Sequence, residues 1–470
     1  MRDSFHFPEG FLWGAATSAY QIEGRPDADG AGHSIWHRFS NSFGRTLNNE
    51  TGAVACDHYT RWSDDVALMS KLALNAYRFS ISWSRIFPEG VGARNPGGIA
   101  FYDRLIDGLL AHDITPNATL FHWDLPATLD DRGGWLNPDI ADWFAEYART
   151  VFDAYGDRVH MWATLNEPWV VTDGGYLHGA LAPGHRNLFE APLASINLMR
   201  AHGAAIKVFR AGGYKGRIGL VVNLEPKVAA TDSALDVAAT VRADAYMNRQ
   251  YLDPALLGSW PEELYDVFGE AWPMKLANDA LPLIAQPIDF LGINYYTRAV
   301  TRHDDQSWPV RASQVKQLMQ TYTETGWEVH PESLTRLLSW VQNRYGALPL
   351  YITENGAAFY DAPRAHDGRV EDPLRVRYFH EHLKAVHAAI AAGVDVRGYF
   401  AWSLLDNYEW SLGFSKRFGI VHVDYETLER TPKASAHFYT SVIRSHGAVL
   451  ADAVPTAGSL TETAGSLTDM

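Results

Sequence analysis

The chain has 470 residues, 47% of them hydrophobic and 20% charged, a composition with ample material for a large globular core. A formal net charge of −15 without any basic stripe argues against nucleic acid as a partner. One cysteine, Cys56, excludes an intrachain disulfide and a cysteine-based metal site, and no run of about 18 apolar residues is present to span a membrane. The opening MRDSFHFPEGFLWGAA lacks a basic region followed by an apolar one, so a cytoplasmic protein without a secretory signal is expected.

In chain order, eight short β-rich runs end in polar or aromatic residues: 12–20, 76–82, 114–123, 159–167, 217–225, 289–297, 349–356 and 396–406. Helical spacing lies between them. Asn137-Pro138 reads as a helix start, Ile140, Phe144, Tyr147 and Val151 recur on one face, and Gly156 is the stop. Val376, Phe379, Leu383, Val386 and Ile390 mark a second helix that ends before Gly393. Eight strands alternating with helices predict an α/β fold, a single (β/α)8 TIM barrel with long βα loops. The barrel is expected over 1–450, with 24–55, 170–195 and 299–330 as rim loops and 451–470 as a polar, disordered tail.

Active sites of such barrels lie at the C-terminal ends of the strands. Those ends carry Gln21, Arg78, His122, Trp123, Asn166, Glu167, Asn294, Tyr296, Glu354 and Trp402. Two are carboxylates, on the fourth and seventh strands. Glycoside cleavage needs such a pair, because the leaving oxygen must be protonated while an anion supports the positive anomeric centre. Arg78 is the cation expected beside Glu354, with Tyr296 and Asn294 as further support. Glu167, near an anion and without an evident cation, is expected to hold its proton. Several of the 16 tryptophans lie beside these polar residues, where flat apolar faces suit sugar rings.

The segments FLWGAATSAYQIEG, NAYRFSISWSRIFPEG, LFHWDLP, TLNEPW, FLGINYYT, GWEVHP, YITENGAA, WSLLDNYEW and SKRFGIVHVDYETLERTPK follow one another along the chain. In these the sequence resembles glycoside hydrolase family 1, the β-glucosidase family, from about Phe5 to Ser445. The resemblance implies a retaining β-glucosidase that hydrolyses terminal β-D-glucosyl residues through a covalent glycosyl-enzyme, with Glu167 as acid/base and Glu354 as nucleophile. It implies glycone contacts from Gln21, His122, Trp123, Asn166, Trp402, Glu409, Trp410 and Phe418. Trp169, His178 and Trp327 are implied on the aglycone side. Glu409, expected as an anion, separates this chain from relatives that cleave 6-phosphoglycosides. The departures LHGALAPG and EWSLGFSKRF, where Leu412 stands in place of a frequent acidic residue, fall near the aglycone entrance.

His380, Glu381, His382 and His387 cluster on one predicted helix, mostly off its apolar stripe, and read as a solvated face rather than a metal site. Gly97-Gly98 and Gly212-Gly213 read as turns. No metal or cofactor is expected, and the partner is a small β-glycoside, with neither nucleic acid nor membrane. Three rivals stay open: a transglycosylating enzyme, a catalytically silent sugar binder, and another barrel enzyme such as a metal-dependent lyase. The choice of glycone and the oligomeric state are open as well.

Overall fold

The eight predicted runs form eight strands of one closed parallel barrel, seen in a computed structural model that describes residues 5–361 and 368–454. They are β1 (Leu12–Ala16), β2 (Ala76–Ser80), β3 (Thr115–Phe121), β4 (Met161–Asn166), β5 (Arg217–Asn223), β6 (Phe290–Asn294), β7 (Leu350–Asn355) and β8 (Val396–Trp402). Each pairs in parallel with its sequence neighbours, and β1 closes the ring on β8. Met161, Phe290, Tyr351 and Phe400 fill the barrel interior, so the catalytic end rests on a packed floor rather than over a pore.

The predicted helices are present with shifted ends. The first runs Ile140–Tyr155 and buries Ile140, Phe144, Tyr147 and Val151. It starts two residues after Pro138, because Asn137 Oδ1 accepts from the Asp139 N–H at 2.8 Å and holds that turn outside the helix. The second runs Pro373–Ala391. Its His380 and His382 are buried rather than solvated: His382 stacks on Tyr378 at 3.8 Å and bonds the Tyr378 carbonyl through Nδ1 at 2.8 Å. No group of three or more metal-ligating side chains occurs among the described residues.

Gly97-Gly98 is the first turn of a helix, Pro96–Ala111, and not a loop turn. A β-carbon at Gly98 would come within 2.0 Å of the Arg85 carbonyl oxygen, so close packing and not chain reversal requires glycine there. Part of the expected rim loop 299–330 is sheet. Strands Lys227–Ala229, Ala299–His303 and Ala312–Gln314 form a small side sheet beside the barrel mouth. The expected tail, 451–470, lies outside the described residues beyond 454. No described helix is long and apolar enough to cross a membrane.

Candidate active site

Both carboxylates stand where strand register breaks. β4 shifts against β5 between Ala163 and Asn166, and β7 shifts against β6 between Ile352 and Glu354. Such irregularities turn side chains away from strict alternation. Glu167 then takes a left-handed backbone (φ 48°), uncommon outside glycine, directly before the short helix that starts at Pro168. Glu167 and Glu354 line the same cavity, about 610 Å³, at the C-terminal end of the barrel.

Their surroundings differ. Glu354 Oε1 accepts from Arg78 Nη1 at 2.5 Å, and Oε2 accepts from the Tyr296 hydroxyl at 2.6 Å. Glu167 Oε1 accepts from the amide of Asn294 at 2.7 Å. Asn294, expected as support for Glu354, thus serves both carboxylates, since its amide also helps lower Glu354. Burial first, and the negative charge of Glu354 second, push the Glu167 carboxyl well above the ordinary range. Burial raises Glu354 too, but the Arg78 cation and the Tyr296 hydroxyl oppose it. Of the pair, Glu354 ionises first.

One row of hydrogen bonds fixes the floor. Asn166 Oδ1 accepts from Arg78 Nη2 at 2.7 Å and from Asn294 Nδ2 at 3.0 Å, while Asn294 Oδ1 accepts from the Thr353 hydroxyl at 2.7 Å. Asn166 must then present Nδ2 to His122, which it meets at 3.0 Å on Nε2. Burial, with Arg78 nearby, holds His122 well below the usual histidine range, so its ring is neutral and its proton sits on Nδ1. That nitrogen is buried, has no protein partner, and belongs to a residue lining the cavity.

The other residues expected to meet the glycone form the wall. Trp123, whose Nε1 donates to the Asn166 carbonyl at 3.0 Å, packs on Trp410 at 4.6 Å, and Trp402 stacks on His122 at 5.9 Å. Phe418 packs edge-on to Tyr296 at 6.3 Å. Burial, then the charge of Glu354, pushes Glu409 up to about 8. Glu409 therefore holds a proton more readily than an exposed glutamate does. Gln21, Arg78 and Asn166 are not among the lining side chains. Gln21 stands behind Glu409, 3.4 Å from Oε2, and is held by the Tyr408 carbonyl at 2.9 Å.

The loop after β8 that carries Glu409, Trp410 and Phe418 is tied down by buried charge. Lys433 bonds Asp361 at 2.7 Å and Asp406 at 2.8 Å, Arg417 bonds Asp406 at 2.8 Å, and Arg375 bonds Asp361 at 2.8 Å. Burial works against the Asp406 anion, yet Lys433, Arg417 and Arg375 outweigh it and hold the group below its ordinary value.

Toward the entrance, Trp169 and Trp327 line the cavity as expected, but His178 does not; it is half exposed, 3.6 Å from Asp173. Ala180, Leu181 and Leu412, from the two departing segments, do line it. The sequence reading missed Asn223, Lys227, Tyr246 and Met247, which line the cavity beside the small side sheet. Asn223 lies at the end of the fifth predicted run and Lys227 just beyond it, and that position was the available signal.

A buried carboxylate pair with separated protonation, at the C-terminal mouth of a (β/α)8 barrel, defines the glycoside-cleaving class of site. Comparison with known proteins agrees. A sequence model of glycosyl hydrolase family 1 matches residues 3–448. A 1,4-beta-D-glucan glucohydrolase of Thermotoga neapolitana is 47% identical over 94% of this chain and 99% of its own length. Beta-glucosidase A of Thermotoga maritima is 48% identical over 94% of this chain and 98% of its own. A solved structure of a family 1 β-glucosidase from Thermotoga maritima superposes with a TM-score of 0.92 at 47% identity, covering 95% of this chain and all of that one. The chain belongs to glycosyl hydrolase family 1 and is an O-glycosyl hydrolase.

Proposed function

We propose that the protein is a retaining β-glucosidase in which Glu354 is the nucleophile and Glu167 the acid/base, with residues 1–450 acting as one catalytic unit. The ionised Glu354 oxygen attacks the anomeric carbon while Glu167 gives its proton to the departing glycosidic oxygen. The alcohol leaves and an ester joins the sugar to Glu354. Glu167, now an anion, takes a proton from water, whose oxygen attacks the same carbon and releases Glu354. Two inversions restore the β configuration. The observation that carries this reading is the division of support: Arg78 and Tyr296 on Glu354, one neutral amide on Glu167.

Other side chains follow from their places. Tyr296, its hydroxyl held far above the ordinary range by burial and then by Glu354, stays a donor to the nucleophile. His122, Glu409 and the tryptophans Trp402 and Trp410 bind the glycone, and Trp169 and Trp327 flank the leaving group. The substrate is a small β-glycoside, in keeping with the β-glucosidases to which the chain is similar. The single, fully buried Cys56 suits a reducing, cytoplasmic setting.

The test is peptide mapping after incubation with an activated 2-deoxy-2-fluoro-β-glucoside, whose fluorine slows release of the intermediate. One adduct on Glu354 is expected. Absence of any adduct, together with no turnover of ordinary β-glucosides, overturns the reading in favour of a silent sugar binder.

A further inference from the structure

Where the packed floor of the barrel gives way to the carboxylates, three polar side chains share the interior: Arg78, Asn117 and Thr119. Arg78 pairs in register with Asn117, Asn117 with Met161, and Thr119 with Ala163, on β2, β3 and β4. Side chains matched in register share a face of the sheet. Met161 is one of those that fill the barrel, so Asn117 and Thr119 also point inward.

All three are 0% exposed. Arg78 gives Nη1 to Glu354 and to the Thr353 carbonyl, at 2.5 and 3.3 Å, and Nη2 to Asn166 at 2.7 Å. Its Nε, both ends of the Asn117 amide and the Thr119 hydroxyl have no partner among the described residues. Such atoms, one of them on a cation, are costly in a dry interior. Where protein does not pair buried polar groups, internal water does. Room for it is present. Thr119 is followed in register by Ala163 and then Gly219, with one side-chain carbon and none. The Phe290 ring, 2.8 Å from the place of a Gly219 β-carbon, bounds that room.

We propose that Asn117 and Thr119 hold internal water against Arg78 Nε, and that Asn117 thereby positions the cation that orients Glu354. Such water accepts from Nε and from Asn117 Nδ2 and donates to Asn117 Oδ1 and Thr119 Oγ1, so every atom of the group is satisfied. The guanidinium is rigid and planar, so a partner on Nε fixes the direction of Nη1 as well. Nη1 is the donor to Glu354. Asn117 does not line the cavity, so it acts through Arg78 and is a positioning residue. The inference rests on the β-glucosidase reading only for its consequence, the rate of attack by Glu354.

The first measurement is a crystal structure of the full chain at a resolution that shows ordered water. Water within about 3.2 Å of Arg78 Nε and of the Asn117 amide is expected. A dry interior, or an Asn117 amide bonded directly to Arg78, overturns the proposal whatever the variants do. The second follows labelling by dinitrophenyl 2-deoxy-2-fluoro-β-glucoside by intact mass. It gives a rate constant at saturation and a half-saturating concentration, both independent of the folded fraction.

Asn117→Leu fills the space with an apolar side chain of similar size. It is expected to slow saturated labelling about tenfold or more, the scale of a small misplacement of reacting groups. The half-saturating concentration should stay within about twofold, because no sugar contact is lost. Asn117→Ser keeps a hydroxyl and admits further water, and should label within about threefold of wild type. A packing role gives the opposite order, since Leu fills the core and Ser opens a cavity. That order, or equal rates in all three proteins, overturns the proposal. No labelling of the wild type, with no turnover of ordinary β-glucosides, overturns the β-glucosidase reading instead.

Discussion

Glu354 and Glu167 are linked through three side chains: Arg78 binds Glu354, Asn166 accepts from both Arg78 and Asn294, and Asn294 binds Glu167. The two carboxylates are therefore oriented by one shared set of donors. A disturbance at either end is passed to the other, and the linkage gives the first expectations below.

Removing the acid should hurt in proportion to how much the leaving group needs a proton. Glu167→Ala is expected to lower kcat/KM for methyl β-glucoside by about 10²–10⁴-fold, the usual contribution of general acid catalysis. For a dinitrophenyl glucoside, whose phenolate departs unaided, the loss in kcat/KM should be far smaller. Steady-state kinetics on both substrates decides it, and equal losses would remove Glu167 from this role.

The raised Glu167 carboxyl also sets a pH dependence of stability. Its folded-state value lies above the ordinary 4.5, so the folded protein holds this proton more tightly than the unfolded chain. The contribution to stability is complete below the unfolded value and is lost as pH rises through the folded one. Glutamine cannot ionise. Thermal melts should show Glu167→Gln gaining over wild type as pH is raised from about 5 to about 8, with the two converging in acid. In the wild type, the alkaline fall of kcat/KM should report the same group; a melt difference independent of pH would contradict the assignment.

Arg78 is fully buried and is the cation bonded to Glu354, the proposed nucleophile. Arg78→Met should raise the Glu354 value, moving the acid limb of kcat/KM upward by about one pH unit or more. Stranding a buried carboxylate should also cost about 3–5 kcal/mol in denaturant unfolding. Adding Glu354→Gln should recover part of that stability while activity stays lost.

Lys433 tests the fastening of the β8 loop. It is fully buried between Asp361 and Asp406, and Lys433→Met leaves Arg375 and Arg417 to hold both carboxylates. A loss of about 3–5 kcal/mol is expected. Because Glu409 and Trp410 ride on this loop, KM for glucosides should rise in the folded fraction. Unchanged stability would mean that the remaining arginines suffice.

The barrel and the carboxylate pair were legible because both follow from local rules: apolar runs at regular intervals, and catalytic groups at strand ends. His380 and His382 were misread because a helix wedged under other elements buries more than its apolar stripe, and a histidine bonded to the preceding turn's carbonyl tolerates burial. The bond from Asn294 to Glu167 was hidden because it depends on register shifts in β4 and β7, which no spacing in the sequence encodes. The side sheet was hidden for a related reason. Its strands are only three to five residues long, and the first joins the others across more than seventy residues, as Lys227 does with Ala299. The raised Glu409 carboxyl was not legible either, because residue type carries no information on burial beside Glu354.

The row from Arg78 through Asn166 to His122 has a sense of direction. Every donor in it points one way, and the neutral imidazole at its end offers a hydrogen and not a lone pair. A hydroxyl that meets Nδ1 accepts, so its own hydrogen must turn to another neighbour. A sugar bound there as proposed meets a wall with polarity as well as shape, and the direction of the hydrogen bond at Nδ1 is set before the substrate arrives.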